Sequence, residues 1–287
     1  MADKGPAEKK KSGSKPDLVT IGGLFLAVGG ILGGLVLEGG RVKDVSQVTA
    51  AIIVLCGTIG AVMVTTPMHT LIGAVKKLGM VFFEADNNPQ AVIEEIIRYA
   101  TKARKSGIVS LEQEADAIQD PFLRKALNLA VDGTDLDVIR KIMELEINLE
   151  EQNAEAEAKV FESAGGYAPT IGIIGAVLGL IQVMKHLANI DEVGKGIAVA
   201  FVATVYGVAS ANIFFLPAGA KIKARIQGVI QNRELMLDGV AGIVEGLNPK
   251  LIRSKLEAYG RAGYKKEQAV KESQAAKAPA RTAAAEG

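Results

Sequence analysis

Four stretches of nearly unbroken apolar residues, each about 20 residues long, alternate with charged segments along the chain. A helix of that length crosses roughly 30 Å of hydrocarbon, so each stretch predicts a membrane span. Span one covers 18–37, span two about 45–68, span three about 165–184 and span four about 197–217. The short turn EGGRVKD (38–44) can only join antiparallel neighbours, which makes 18–68 a transmembrane hairpin. Span one carries Gly29/Gly33 and Gly30/Gly34, a four-residue spacing that lets helices approach closely in lipid. Gly175/Gly179 repeats that spacing in span three.

The polar stretches predict helices as well. In 69–164 the segment starts amphipathic (72–83), Asn87-Asn88-Pro89 interrupts it, and Val92, Ile93, Ile96 and Ile97 share one face of a helix over 91–105. Further helices fit 111–118, 121–131 and 136–165, with Pro121 suited to a first helical turn. No segment shows a period-two strand pattern. After spans three and four (165–217), residues 218–267 read as a helical tail and 268–287 as a disordered Ala/Lys-rich end. Residues 1–17 read as a disordered basic arm. The fold class is therefore all-α: a polytopic membrane protein with four transmembrane helices and a helical cytoplasmic domain over 69–164.

Composition sharpens this picture. Of 287 residues 49% are hydrophobic and 23% charged, and the two populations are segregated rather than mixed, which argues against a soluble single-core enzyme. The net charge of +1 gives no global field toward nucleic acid. Cys56 is the lone cysteine, and His69 and His186 have no ligand-like spacing, so no metal site or cofactor is expected. Basic residues set the orientation: five lysines lie in the arm, Lys76 and Lys77 follow span two, and Lys221, Lys223 and Arg225 follow span four. Both termini and the middle section are expected on the cytoplasmic side of the membrane.

The four spans contain no Asp, Glu, Lys or Arg. Since ionisable side chains mark proton pathways in a bilayer, a titrating group for any ion flux must come from a partner. Thr204 could line such a path, or its hydroxyl could bond back to its own helix. Pro169 opens span three and Pro217 closes span four; each either permits a bend or merely marks a span end. In the polar section Arg98, Lys102, Arg104 and Lys105 precede Glu112, Glu114 and Asp116, with Gly107 between. That patch is either a solvated face or a surface that steers a partner of opposite pattern.

YAPTIGIIGAVLGLIQVM (167–184) and GKGIAVAFVATVYGVASANIFFLPAGAKIK (194–223) resemble the MotA/TolQ/ExbB proton-channel family, and its four-span MotA branch in particular. LEGG (37–40), ARKSGIVSLE (103–112) and DPFLRKALNLAVDGTD (120–135) support the resemblance, which covers about 17–260. It implies the ring-forming subunit of a flagellar stator, a homopentamer around a MotB-like single-span protein that supplies the membrane Asp and a peptidoglycan-binding domain. Inward proton flow would turn the ring and push the rotor protein FliG. The resemblance places Arg104 and Glu112 at rotor-facing charges, Pro169 and Pro217 at conformational-coupling prolines, and Thr204 at the ion site.

Sodium-driven relatives read Gly-Thr where Gly175-Ala176 stands here, so the resemblance makes Ala176 a selectivity position. Lacking an oxygen ligand for a hard cation, Ala176 points to protons. The TolQ/ExbB branch usually has three spans and a glutamate about where Val199 stands, and this chain departs from it on both counts. A four-span scaffold without ion flux is the reading from another class. With no P-loop and no Gly-x-Ser-x-Gly motif, an enzyme is not expected. The basic arm and the Ala/Lys-rich tail are candidate contacts with membrane lipid.

Overall fold

The computed structural model describes residues 15–84 and 88–258. The described chain is helical: α1 (Leu18–Leu37), α2 (Val48–Thr65), α3 (Met68–Lys77), α4 (Gly79–Phe82), α5 (Pro89–Ser106), α6 (Glu112–Ala115), α7 (Pro121–Val131), α8 (Leu136–Lys185), α9 (Ile190–Ala209) and α10 (Leu216–Val244). A π-helical segment, Ser210–Phe215, links α9 to α10. The one departure is a ladder of two-residue strands, β1 (Lys15–Pro16) antiparallel to β2 (Phe83–Glu84). Four helices, α1, α2, α8 and the continuous run Ile190–Val244, are long and apolar enough to cross a membrane.

The chain divides into two compact units. One draws on Met1–Asp86 and Gln152–Ile226, the other on Asn87–Glu151 and Gln227–Gly287, so α8 and α10 each contribute to both.

The first unit is built around α2, α8 and α9. Ala50 and Val54 of α2 pack with Val202 and Ala203 of α9, and Tyr206 flanks them. The residues at this contact are small, so the helices meet by close backbone approach rather than by large interlocking side chains. Asp17 starts α1: its Oδ1 accepts from the amides of Val19 (3.1 Å) and Thr20 (3.0 Å). Those amides have no partner inside the helix, which is why a side-chain acceptor is favoured there.

In the second unit, α5 and α7 both begin with proline at the first helical position behind an Asn or Asp cap. Ile93, Ile96, Phe122, Leu123, Leu127 and Met143 are fully buried, on the faces that the 3.6-residue periodicity marks as apolar. Gly107 ends α5 at φ +82°, a conformation that favours glycine, and turns the chain toward α6.

Several features differ from the sequence-based expectation. The span boundaries placed at 165 and 217 are not helix ends: α8 runs through Gly165, Gly166 and Pro169 without interruption, and helix continues past Pro217. A proline removes one backbone bond from a long ladder, and neighbouring helices can absorb that loss. The arm expected over 1–17 is ordered at its end, because Pro16 joins the ladder and Asp17 is buried. Residues 1–14 of that arm and the tail expected over 268–287 lie outside the described residues. Among the described residues nothing packs against the glycines of α1: Gly29, Gly30, Gly33 and Gly34 have open space where a side chain would begin, and α1 has no buried residue.

Candidate functional site

The site expected from sequence starts at the seam between α8 and α9. A side chain at Gly172 would lie 2.9 Å from the Ala203 carbonyl oxygen, 3.2 Å from Gly207 Cα and 3.4 Å from Thr204 Cα. One at Gly207 would lie 2.6 Å from the Ala168 carbonyl oxygen and 3.2 Å from Pro169 Cα. Only glycine permits that approach, so these two positions set the register of the seam. The structure thereby brings Pro169 and Thr204 to the same stretch of one interface, on opposite helices. Ala176, one turn along α8 from Gly172, is half-buried.

Thr204 is half-buried, and its Oγ1 donates to the Ala200 carbonyl at 3.2 Å. Of the two readings of this hydroxyl, the bond to its own helix is the one present. A hydroxyl bonded this way still offers oxygen lone pairs to a ligand. Below it, Ser210 Oγ donates to the Gly207 carbonyl (3.2 Å) and Asn212 Nδ2 to the Val208 carbonyl (2.8 Å).

Pro169 lies inside α8, more than thirty residues from its start, so it is not the opening residue of a helix. Pro217 is the second residue of α10, two residues past the end of the π-helical segment. Proline lacks the N–H for an α-helical bond and its ring crowds the carbonyl four residues earlier. A π-turn shifts the bonding by one residue ahead of such a site, and these turns are where long helices change direction.

Near that proline the sequence reading missed Asp17. Its carboxylate Oδ2 pairs with Lys221 Nζ at 2.7 Å and Arg225 Nη2 at 2.6 Å. The hydrogen bond from Lys221, helped by the Thr20 amide and opposed by burial, holds its carboxyl well below the usual carboxylate range. Asp17 lies at the boundary between arm and span, where a lone acidic residue gave no signal beyond a possible helix cap. A second miss is Tyr206, whose hydroxyl donates to the Val45 carbonyl at 2.7 Å and ties α9 to the turn before α2.

In the second unit, Arg104 and Glu112 are both exposed. Their neighbours are engaged: Lys102 Nζ meets Glu114 Oε1 at 2.9 Å, and Arg98 Nη2 donates to the Tyr99 hydroxyl at 3.1 Å. The same Tyr99 hydroxyl donates to Glu95 Oε1 at 2.7 Å. Burial, then the bond to Glu95, pushes the phenol up to about 12. Among the described residues, neither Arg104 nor Glu112 forms an ion pair. Of the charges on either side of Gly107, Arg104 and Glu112 are thus among those left for an outside partner.

Long apolar helices, a glycine-set seam free of ionisable groups and a charged polar unit define a multi-pass helical membrane protein. Residues 114–235 match the MotA/TolQ/ExbB proton channel family and residues 21–107 match the motility protein A N-terminal family. The chain is 37% identical to motility protein A of Bacillus subtilis (strain 168), over 85% of this chain and 90% of that one. Motility protein A of Helicobacter pylori (strain ATCC 700392 / 26695) is 36% identical over 85% of this chain and 95% of its own. The solved structure of C. jejuni MotAB superposes with a TM-score of 0.81 at 33% identity, covering 85% of this chain and 95% of that one. This chain belongs to the MotA/TolQ/ExbB proton channel family, on its motility protein A side.

Proposed function

We propose that this chain is the ring-forming subunit of an ion-driven flagellar stator. With a MotB-like single-span partner it couples inward proton flow to rotation and to torque on the FliG rotor. The observation that carries the reading is the seam. Thr204 lies there against Gly172 and Pro169 against Gly207, in spans that contain no Asp, Glu, Lys or Arg, so the partner's membrane carboxylate completes the path. The ring is a pentamer in the bacterial inner membrane, with both termini, the section 69–164 and the tail from 218 on the cytoplasmic side.

Each proton crossing draws about 2.3 kcal/mol per 100 mV from the membrane potential, enough to bias a helix rearrangement. Pro169 and Pro217 are the positions where α8 and the α9–α10 run can yield. Arg104 and Glu112, both exposed, deliver the motion to the rotor. Ala176 leaves the path without a second hydroxyl and selects protons.

The test is co-reconstitution of the full chain with its single-span partner in vesicles, with a pH-sensitive dye inside. Proton entry driven by an imposed potential, unaffected by removing sodium, is expected, and Thr204→Val should slow it without dissolving the complex. Flux that follows sodium would overturn the selectivity assignment. A periplasm-spanning partner without a wall-binding domain would move the chain to a TolQ/ExbB-like role. A complex that passes no ions would make it a scaffold.

A further inference from the structure

A groove of about 320 Å³ opens beside the amino-terminal end of α1. Gly23, Leu24 and Ala27 of α1, Phe82 of α4 and Phe214 of the π-helical segment line it, and Lys221 stands at its edge. An apolar cavity of half this size stays dry and accepts apolar guests. The volume suits a hydrocarbon chain rather than a protein helix, which with its side chains is about 10 Å across.

Two features say what the guest carries. Beside the groove the Asp17 carboxylate faces two cations, Lys221 and Arg225, leaving one positive charge over. Arg225 is largely buried, and its Nε has no hydrogen-bond partner. The groove also lies beside a candidate span: Leu18, Val19 and Phe25 of α1 are 76%, 82% and 75% exposed, so this helix offers the apolar surface that a bilayer would cover. We propose that the groove holds an acyl chain of an anionic phospholipid whose phosphate answers the surplus charge of Lys221 and Arg225. The proposal rests on the membrane class of the chain and is independent of the motor reading.

Gly23 offers a clean variant, because nothing lies within 4 Å of where its side chain would begin. Gly23→Phe fills the groove, and Gly30→Phe, open in the same way but absent from the groove lining, serves as its control. The complex would be purified from native membranes in mild detergent, washed to remove loose lipid, and its retained phospholipid measured by mass spectrometry. Wild type and Gly30→Phe are expected to keep an anionic phospholipid that Gly23→Phe loses while eluting at the same size. Equal retention by Gly23→Phe and wild type, or no retained phospholipid in wild type, would overturn the proposal.

A second measurement needs no variant. Delipidated wild type should gain thermal stability from phosphatidylglycerol but not from phosphatidylcholine vesicles. Equal stabilisation by both would remove the charge argument, and the same gain from inorganic phosphate alone would remove the acyl chain.

Discussion

Asp17 and Arg225 lie 208 positions apart in the sequence and share an ion pair of 2.6 Å between the cap of α1 and the helix beyond Pro217. The same carboxylate caps α1 through Oδ1, so a single side chain starts a span and holds the segment that leaves another. Replacing it with alanine removes both jobs. Asp17→Ala should cost about 3 kcal/mol, since a buried pair broken on one side leaves cations uncompensated. Thermal unfolding in detergent would show this. The pH dependence has a defined sign: the folded carboxyl is held below its ordinary value, so its contribution is complete above about pH 4 and fades as pH falls further. Wild type should therefore lose stability on acidification more steeply than Asp17→Ala.

Gly207→Leu places a side chain against the Ala168 carbonyl, 2.6 Å from where its first carbon would lie. Overpacking of this kind costs about 1–3 kcal/mol, and here it must also part α8 from α9. Loss of proton flux with a weakened but detectable complex is expected on native gels and in vesicle assays.

Tyr206→Phe removes the hydroxyl that donates to Val45. A loss of about 1 kcal/mol is expected, with faster amide hydrogen exchange confined to the turn around Val45 and Gln47. Uniformly faster exchange across α9 would contradict so local a role.

Charge reversals at Arg104 and Glu112 should leave thermal stability within about 0.5 kcal/mol, because neither residue makes an ion pair among the described residues. Swimming speed should nonetheless fall, and a compensating reversal on the rotor should restore it. Lys102→Glu gives the contrast: it faces Glu114 at 2.9 Å and should lower stability as well.

The spans and most helix starts were legible because apolar length and capping residues are local properties. Leu18–Leu37 coincides with the first apolar stretch, and Asp120-Pro121 starts a helix as its chemistry requires, whereas Asn88-Pro89, read as an interruption before a helix over 91–105, itself caps and opens α5. Continuity through Pro169 and past Pro217 was not legible, since whether a proline ends a helix depends on what packs around it. The close approach of Gly172 and Gly207 was not legible, since the spacing that stood out in span three was Gly175/Gly179, and the same spacing in α1 meets no partner among the described residues. Asp17 escaped notice for a related reason: its cations come from the far end of the sequence.

The π-helical turn at Ser210–Phe215 stores one residue more than an α-helix would use over the same rise. Such a turn acts as a dislocation in the helical lattice. Carried along the helix or dissolved, it re-indexes every residue beyond it by one position, a rotation of about 100°. The two cations that meet Asp17 and the face that Pro217 presents all lie downstream of it. A helix with this defect can change which side chains face its neighbours without unwinding, which is the kind of step a repeating machine needs.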